Sequence, residues 1–332
     1  EILAGKKGGK SLEQVIQENI GSYMTRSYRI FEAQGGYNPL SWWNRVMPTK
    51  SAMAMRQKVQ DVRELLSRDG TRTEAEIENE IKLIGQGFVG TAIKEGMQHA
   101  LIVNTYDKFK SEASTCNNVE ELCKKTKIIF VCLPTPMRPD GSCDLSIVES
   151  TIEEIDKHSN FHIAVIKSTI PPGTTERLNR TFKNVSVVFS PEFLTEANFL
   201  DDFKNQNRII IGGPRPATTI VKNMFRKVFQ EVTIVKTGSN TAETVKYFTN
   251  CFLATKVSFA NEMKQICDEV NVDYDKVVEY GLYDKRIGRT HLSTPGPDGK
   301  KGFGGSCFPK DLNALIHVAK DNGVRPTVLQ AV

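Results

Sequence analysis

The sequence lacks the features that mark membrane, metal-binding and nucleic-acid-binding proteins. No apolar run approaches the roughly eighteen residues that a membrane-spanning helix needs. The seven cysteines stand without the short spacings of a metal-ligand set. Basic residues number 44 against 39 acidic ones, and the net charge of +5 is too small to indicate a nucleic-acid surface. We therefore expect no metal and no membrane or nucleic-acid partner, and only a mild preference for anionic ligands.

The scattered, odd-numbered cysteines also argue against a disulfide framework, so we expect a reducing compartment, the cytoplasm. The first residues, Glu1 to Lys7, lack both an initiating methionine and a signal-peptide pattern. We therefore expect a chain that is clipped at its front. A length of 332 residues predicts about two domains, at roughly 150 residues each.

Three segments differ in their pattern. Residues 1–80 form an extension of unknown role, in which an amphipathic run at 50–68 predicts helical packing. Residues 81–236 alternate short apolar runs with helical stretches, which is typical of a parallel sheet in a Rossmann-like α/β domain. Residues 237–332 predict a helical domain built on one long helix, from 241 to about 270. The predicted strands are 81–84, 100–105, 127–133, 162–167, 185–189, 208–211 and 232–235.

The start of the long helix has a local marker. Asn240 and Glu243 have the spacing of a capping box, in which each side chain bonds a free backbone N–H at the helix start. We therefore expect the two residues to cap their own helix.

A glycine-rich motif follows the first predicted strand and opens a helical stretch. Its residues are Gly85, Gln86, Gly87, Phe88, Val89 and Gly90. In a dinucleotide fingerprint the first glycine makes a tight turn, the second lets a pyrophosphate approach the backbone, and the third permits close helix packing. Asp107, at the end of the second strand, can hold both ribose hydroxyls and repel a ribose phosphate. The motif predicts NAD rather than NADP, although Lys108 and Lys110 weaken that preference; the alternative is an ordinary glycine turn.

A second glycine-rich loop, 302–306, leads into Cys307 and then into a proline suited to the first turn of a helix. The positive end of a helix, and Lys310 nearby, favour the thiolate form of such a cysteine. Cys307 is therefore a candidate nucleophile for attack on a carbonyl carbon. Asp311 could orient a water molecule or the loop. Three other cysteines fit small buried apolar positions: Cys132, Cys251 and Cys267.

Lys246 and Asn250 lie one turn apart on the long helix, so both side chains project from one face. A lysine and an amide in this arrangement can stabilise an alkoxide or the oxyanion of a thiohemiacetal. The alternative for such a pair is a solvated helix face.

Two further loops follow predicted strands, at the edge where open parallel sheets bind ligands. They contain Thr169 and Glu192. A partly buried Glu192 could act as a general base, and Thr169 could anchor a water molecule or a nicotinamide. Each residue could equally be a loop cap or a turn residue.

Seven motifs in order resemble those of the UDP-glucose/GDP-mannose dehydrogenase family, and within it the UDP-glucose 6-dehydrogenases. The motifs are 85–90, 134–136, 168–171, 191–196, 243–250, 286–288 and 302–311. The resemblance implies oxidation of a sugar CH2OH group to a carboxylate, with two NAD used in turn. It reaches Val332, before the further UDP-binding domain of full-length relatives, so we expect a short form without that domain.

The resemblance also implies roles for individual residues. Cys307 would capture the aldehyde as a thiohemiacetal and later form a thioester that water cleaves. The implied catalytic partners are Lys246 and Asn250 at the oxyanion, Glu192 in proton transfer, and Thr169 and Asp311 at the water. The implied cofactor contacts are the motif 85–90, Asp107, Pro134, Thr135, Thr169 and Glu196. The implied substrate contacts are Glu192, Phe193, Leu194, Lys246, Asn250, Phe303, Gly304 and Arg286, the last reaching the site of a neighbouring subunit.

The implied substrate is UDP-glucose. The alternatives are another nucleotide sugar, UDP-N-acetylmannosamine or GDP-mannose, and a catalytically silent NAD-binding module or fragment. We also expect a homodimer, because apolar positions such as Phe252, Phe259 and Met263 cover more than one face of the long helix. The alternative is burial of that helix within one chain, under the N-terminal extension.

Overall fold

The computed structural model describes residues 79–124 and 126–332. The predicted helical run at 50–68, and all but the last two residues of the predicted extension 1–80, lie outside the described residues. Within the described residues the chain forms seven strands and ten α-helices.

The strands form one sheet in the order β2-β1-β3-β4-β5-β6-β7. Their bounds are β1 (Glu80–Ile84), β2 (Ile102–Tyr106), β3 (Ile128–Val131), β4 (His162–Ile166), β5 (Val185–Phe189), β6 (Arg208–Gly212) and β7 (Thr233–Thr237). All seven predicted strands are present, with bounds that differ from the prediction by at most two residues. β1, β3 and β4 are buried along their whole length, as strands covered on both faces must be. The prediction of a Rossmann-like α/β fold is confirmed.

Helices cover both faces of the sheet. They are α1 (Phe88–Met97), α2 (Val119–Cys123), α3 (Ser146–His158), α4 (Thr174–Thr181), α5 (Phe199–Lys204), α6 (Ala217–Val228), α7 (Ser239–Glu269), α8 (Tyr274–Gly281), α9 (Phe308–Asp321) and α10 (Thr327–Ala331). On one face Ile93 of α1 and Phe225 of α6 belong to the buried core, and on the other face Ile152 of α3 and Leu178 of α4 do. None of the helices in the described part of the chain is long and apolar enough to cross a bilayer.

The sheet departs from the predicted parallel arrangement at one place. β5 and β6 pair antiparallel, with Phe189 opposite Gly212, whereas the other neighbouring strands pair parallel. The connection between β5 and β6 contains the six-residue helix α5, which packs on α1 with the Phe203 ring close to Gly96. Such a short helix does not form the crossover that a parallel pair requires.

The long helix α7 runs for 31 residues without an internal glycine or proline. Its predicted extent is confirmed, but the predicted capping box is wrong, because Gly238 is the N-cap and Asn240 and Glu243 lie inside the helix. The carboxylate of Glu243 instead accepts hydrogen bonds from the backbone N–H groups of Gly173 (2.7 Å) and Thr175 (2.8 Å). This fully buried side chain therefore caps α4, and it ties α7 to the sheet.

Candidate active site

The three glycines of the fingerprint occupy different environments. Gly85 has a φ of 93°, and a Cβ there would lie 2.3 Å from the carbonyl oxygen of Cys132. A Cβ on Gly90 would lie 1.9 Å from the carbonyl oxygen of Gly85. Gly87 is the N-cap of α1, and a Cβ on it would meet no atom within 4 Å. The turn and the helix contact require glycine, and the open side of Gly87 at the helix N-terminus has room for an anionic group such as a pyrophosphate.

Asp107 lies directly after β2, beside the fingerprint turn. Its carboxylate accepts hydrogen bonds from the backbone N–H groups of Gln86 (2.7 Å), Phe109 (2.9 Å) and Lys110 (3.2 Å). The ammonium of Lys110 donates to the carbonyl of Gln86 at 2.9 Å. Asp107, which favours NAD, and Lys110, which weakens that preference, therefore both contact the turn. The contact of Asp107 with ribose stays a prediction.

The loops after β3 and β4 lie side by side. The backbone N–H of Leu133 donates to the hydroxyl of Ser168 at 2.9 Å, and the hydroxyl of Thr135 donates to the carbonyl of Thr169 at 2.9 Å. Thr135 is buried, Pro134 is exposed and Thr169 is half-buried. The three predicted residues of these loops therefore share the carboxyl edge of the sheet.

Lys246 and Glu192 form a buried ion pair between α7 and the loop after β5. The Lys246 ammonium donates to Oε1 of Glu192 at 2.8 Å and to the Glu192 carbonyl at 2.7 Å. The second carboxylate oxygen accepts from the N–H of Leu194 at 2.7 Å. Burial alone raises the pKa of Glu192, but the charge and hydrogen bond of Lys246, the Leu194 N–H and the charge of Lys167 outweigh burial and hold the pKa below its usual value. Glu192 is therefore a carboxylate at neutral pH.

One turn along α7, Asn250 reaches the start of α9. Its amide donates to the carboxylate of Asp311 at 2.6 Å. Asp311 is fully buried, and Lys310 forms an ion pair with it. The N–H of Asp311 donates to the carbonyl of Cys307 at 2.9 Å, in the first turn of the helix. The structure thus joins Asn250 to Asp311 and Lys246 to Glu192, and the predicted convergence of Lys246 and Asn250 on one oxygen stays a prediction.

Cys307 is the N-cap of α9, and the predicted proline stands in the first turn. It is exposed, whereas Cys132 is half-buried and the other five cysteines are buried; all seven lie among the described residues and are free thiols. Burial raises the pKa of Cys132 and of Cys251 to about 12, which leaves both thiols protonated at neutral pH. The exposure of its side chain therefore distinguishes Cys307 from the other six cysteines.

The loop before Cys307 is fixed by backbone turns and side-chain contacts. Gly302 and Gly305 have φ values of 76° and 74°, which favour glycine. The hydroxyl of Ser306 lies 3.7 Å from the Cys307 sulfur and donates to Glu196 at 2.6 Å. The predicted cofactor contact Glu196 therefore lies beside the candidate nucleophile. Gly304 lies exposed in the same loop.

The remaining predicted substrate residues have different surroundings. The Phe193 ring faces the guanidinium of Arg208 at 4.2 Å and the ammonium of Lys246 at 5.7 Å. Phe303 packs edge-on against Phe308, with ring centroids 6.2 Å apart. Arg286 is 90% exposed and pairs with Asp284 through its Nε at 2.9 Å.

Sequence reasoning missed three polar residues at the site. Asn261 accepts hydrogen bonds from the N–H of Gly302 (3.0 Å) and the hydroxyl of Thr294 (3.2 Å), and so holds the cysteine loop to α7. Arg208 covers Phe193, and Lys167 lies buried at the end of β4. Helical spacing could have indicated Asn261, since it shares a face of α7 with Asn250. The described residues contain no group of three or more His, Cys, Asp or Glu side chains that could hold a metal ion.

The fold and the site together define a dinucleotide-binding α/β protein with an exposed thiol at a helix N-terminus. Two family models match the chain, and both describe the UDP-glucose/GDP-mannose dehydrogenase family: its NAD binding domain matches residues 93–233, and its central domain matches residues 240–332. The chain belongs to this family. Residues 93–233 match the family's NAD-binding domain, so the prediction of NAD as cofactor is confirmed.

Three relatives show how far the similarity extends. UDP-glucose 6-dehydrogenase of Rickettsia bellii is 38% identical over 223 residues, which are 64% of this chain and 49% of that protein. UDP-glucose 6-dehydrogenase TuaD of Bacillus subtilis is 36% identical over 225 residues, 65% of this chain and 47% of that protein. The structure of a UDP-glucose dehydrogenase from Pyrobaculum islandicum matches with a TM-score of 0.68 and 30% identity, covering 79% of this chain and 68% of that one. The chain spans about half the length of the curated relatives it matches.

Proposed function

We propose that this chain oxidises the CH2OH group of UDP-glucose to a carboxylate, giving UDP-glucuronate, with Cys307 as nucleophile. The observation that carries the proposal is the pair of contacts on α7, Lys246 with Glu192 and Asn250 with Asp311, the second one helical turn from Cys307. Similarity to proteins named UDP-glucose 6-dehydrogenase supports the choice of sugar nucleotide.

Lys246 and Asn250 use only part of their hydrogen-bond donors among residues 79–124 and 126–332. An ammonium has three N–H donors, and Lys246 gives two of them to Glu192. The amide of Asn250 has two, and one goes to Asp311. Each residue thus keeps a donor for an oxygen of the substrate. Two donors aimed at one developing oxyanion, in a buried setting, favour the tetrahedral adduct over the free aldehyde.

Cys307 holds the sugar between the two oxidation steps. Its thiolate adds to the carbonyl carbon of the aldehyde-level sugar, and the carbonyl electron pair moves to the oxygen. After the second oxidation the carbon is bound to sulfur as a thioester. Water adds to that carbon and the C–S bond breaks, so the sulfur leaves as thiolate and the sugar as a carboxylic acid, which releases its remaining proton to solvent and becomes the carboxylate. Glu192, ionised at neutral pH, accepts a proton from the water.

The residues that would hold NAD are those of the fingerprint, Asp107, Pro134, Thr135, Thr169 and Glu196. NAD, when bound, supplies the acceptor for both hydrides. Gly87 leaves the approach to the N-terminus of α1 open, and the carboxylate of Asp107 lies beside the turn where the ribose is expected.

We propose the cytoplasm as the location of the protein. We also propose a division of the chain into an extension (1–80), an NAD-binding domain (81–236) and a helical domain (237–332).

We further propose that α7 forms a homodimer. Phe248, Phe252 and Phe259 are exposed on this helix, and the first two rings stack with centroids 6.2 Å apart. A row of exposed aromatic rings on one helix is typical of a subunit contact. In such a dimer the exposed Arg286 reaches the partner's substrate. Mixing inactive Cys307→Ala and Arg286→Ala subunits should then restore activity, because one site of each mixed dimer is intact; no recovery after demonstrated subunit exchange contradicts the shared site.

The test of the function is NADH formation by the purified chain with a panel of nucleotide sugars. We expect two NADH for each UDP-glucuronate, with the product identified by mass spectrometry. Faster oxidation of UDP-N-acetylmannosamine or GDP-mannose would instead assign one of those sugars as substrate. NAD binding without oxidation of any member of the panel would make the chain a silent NAD-binding module and overturn the proposal.

A further inference from the structure

Lys167 is a buried cation that the proposed chemistry does not use. It directly follows β4, and its side chain is 5% exposed. Its ammonium donates to the carbonyl of Pro191 at 3.1 Å. The next carbonyl along the chain, that of Glu192, accepts from Lys246. Two ammonium groups, one at the end of a strand and one on α7, therefore hold consecutive carbonyls of the loop that presents Glu192.

The charges in this cluster are unequal. In the part of the chain that the structure describes, the titratable groups that interact electrostatically with Lys167 are Cys132 after β3, Glu192 in the loop after β5, and Lys246 on α7. Because Cys132 is a neutral thiol, two cations surround one carboxylate. An unbalanced buried cation costs free energy unless its charge or its hydrogen bond is used.

We propose that Lys167 is a positioning residue for Glu192, which holds the Pro191 carbonyl and supplies a second positive charge to the Glu192 carboxylate. Lys246 can then turn a donor toward the substrate oxygen without leaving Glu192 unpaired in a buried site. The effect on catalysis rests on the proposed function, whereas the effect on Glu192 does not.

The hydrogen bond and the positive charge of Lys167 depend differently on pH. Burial, with a smaller contribution from Lys246, lowers the pKa of Lys167 to about 8, although Cys132 and Glu192 oppose the shift. Below that pH the ammonium supplies both a hydrogen bond and a charge. Above that pH the neutral amine of Lys167 can still donate to the Pro191 carbonyl, but its positive charge near the Glu192 carboxylate is lost.

The decisive measurement is the 13C NMR titration of glutamate carboxyl groups in the whole chain, with the Glu192 resonance assigned by its loss in Glu192→Gln. In the wild type we expect a second, smaller shift of this resonance near the pKa of Lys167, about 8. In Lys167→Met that step should vanish, and the carboxyl pKa of Glu192 should rise. Lys82→Met, which removes another buried lysine of the same sheet, should leave both the second step and the carboxyl pKa of Glu192 unchanged. A wild-type Glu192 resonance without the second step overturns the proposal even if neither variant folds.

Kinetics provide the second measurement. In Lys167→Met we expect kcat to fall about tenfold, with KM for NAD unchanged, because proton transfer at Glu192 is impaired. Lys167→Arg keeps the charge at high pH, so the alkaline loss of kcat near pH 8 should move upward. An unchanged alkaline limb in Lys167→Arg contradicts the role of the charge. If the wild type oxidises no nucleotide sugar, the proposed function fails, and the NMR titration alone decides on Lys167.

Discussion

The nucleotide end and the thiol end of the molecule are built in different ways. The nucleotide end, from Gly85 to Asp107, is one short stretch of chain in which glycines and backbone N–H groups define the shape. The thiol end joins segments that are 54 to 110 residues apart, through Lys246 with Glu192, Asn250 with Asp311 and Ser306 with Glu196. Shape is therefore set locally at one end, and charge is paired over long separations at the other. Substitutions can test whether the two ends also act separately.

Cys307→Ala should separate the two ends most strongly. We expect turnover with UDP-glucose to fall by at least about 1,000-fold, because the aldehyde-level sugar has no nucleophile to hold it. NAD affinity should stay unchanged, because the fingerprint is a separate segment. Steady-state NADH formation and calorimetric NAD titration measure the two effects, with the buried Cys267→Ala as control. Loss of NAD binding in Cys307→Ala would break the distinction between the ends.

Within the nucleotide end, Gly90→Ala and Gly87→Ala form a matched pair. A Cβ on Gly90 meets the Gly85 carbonyl at 1.9 Å, so we expect a loss of about 2–3 kcal/mol in the free energy of unfolding. A Cβ on Gly87 meets open space, so stability should change by less than about 0.5 kcal/mol. NAD affinity should nevertheless fall about tenfold in Gly87→Ala, because the pyrophosphate approaches there. Denaturant unfolding and NAD titration of both variants measure these effects. Unchanged NAD affinity in Gly87→Ala would show that the pyrophosphate does not bind at this position.

Glu243→Ala tests the long-range contacts. The half-buried N–H of Gly173 and the buried N–H of Thr175 lose their acceptor, so we expect a loss of about 2 kcal/mol in the free energy of unfolding. The exposed Glu262→Ala on the same helix should cost less than about 0.5 kcal/mol. Chemical denaturation of both variants compares the two positions. Equal losses would show that the contact with α4 contributes nothing beyond helix propensity.

Asp107→Asn should have the smallest effect. The amide keeps an oxygen for the N–H of Gln86 but loses the negative charge that repels a ribose phosphate. We expect the ratio of kcat/KM for NAD over NADP to fall about tenfold. Kinetics with both cofactors measure this ratio. A wild type that uses NAD and NADP equally would show that Lys108 or Lys110 dominates the selection.

The sequence predicts what depends on short spacings. All seven strands, the long helix and the glycine turn follow from apolar periodicity and from the positions of Gly85, Gly87 and Gly90. The capping box is wrong because its spacing is a local rule, whereas the Glu243 carboxylate accepts from donors 68 and 70 residues away, at the start of another helix. No sequence pattern indicated that Lys167 is buried at the site, because a lysine at a strand end is most often solvated.

The same separations define the order in which parts of the molecule can form during synthesis. Once β7 is complete, each strand of the sheet has the neighbours that it pairs with. Asn250 is made 61 residues before Asp311, and until α9 emerges its amide lacks that buried partner. Contacts of such separation form late and slowly. A nascent chain can therefore acquire a folded cofactor-binding sheet while the chemical site is still open, and chaperones and proteases meet α7 in that interval.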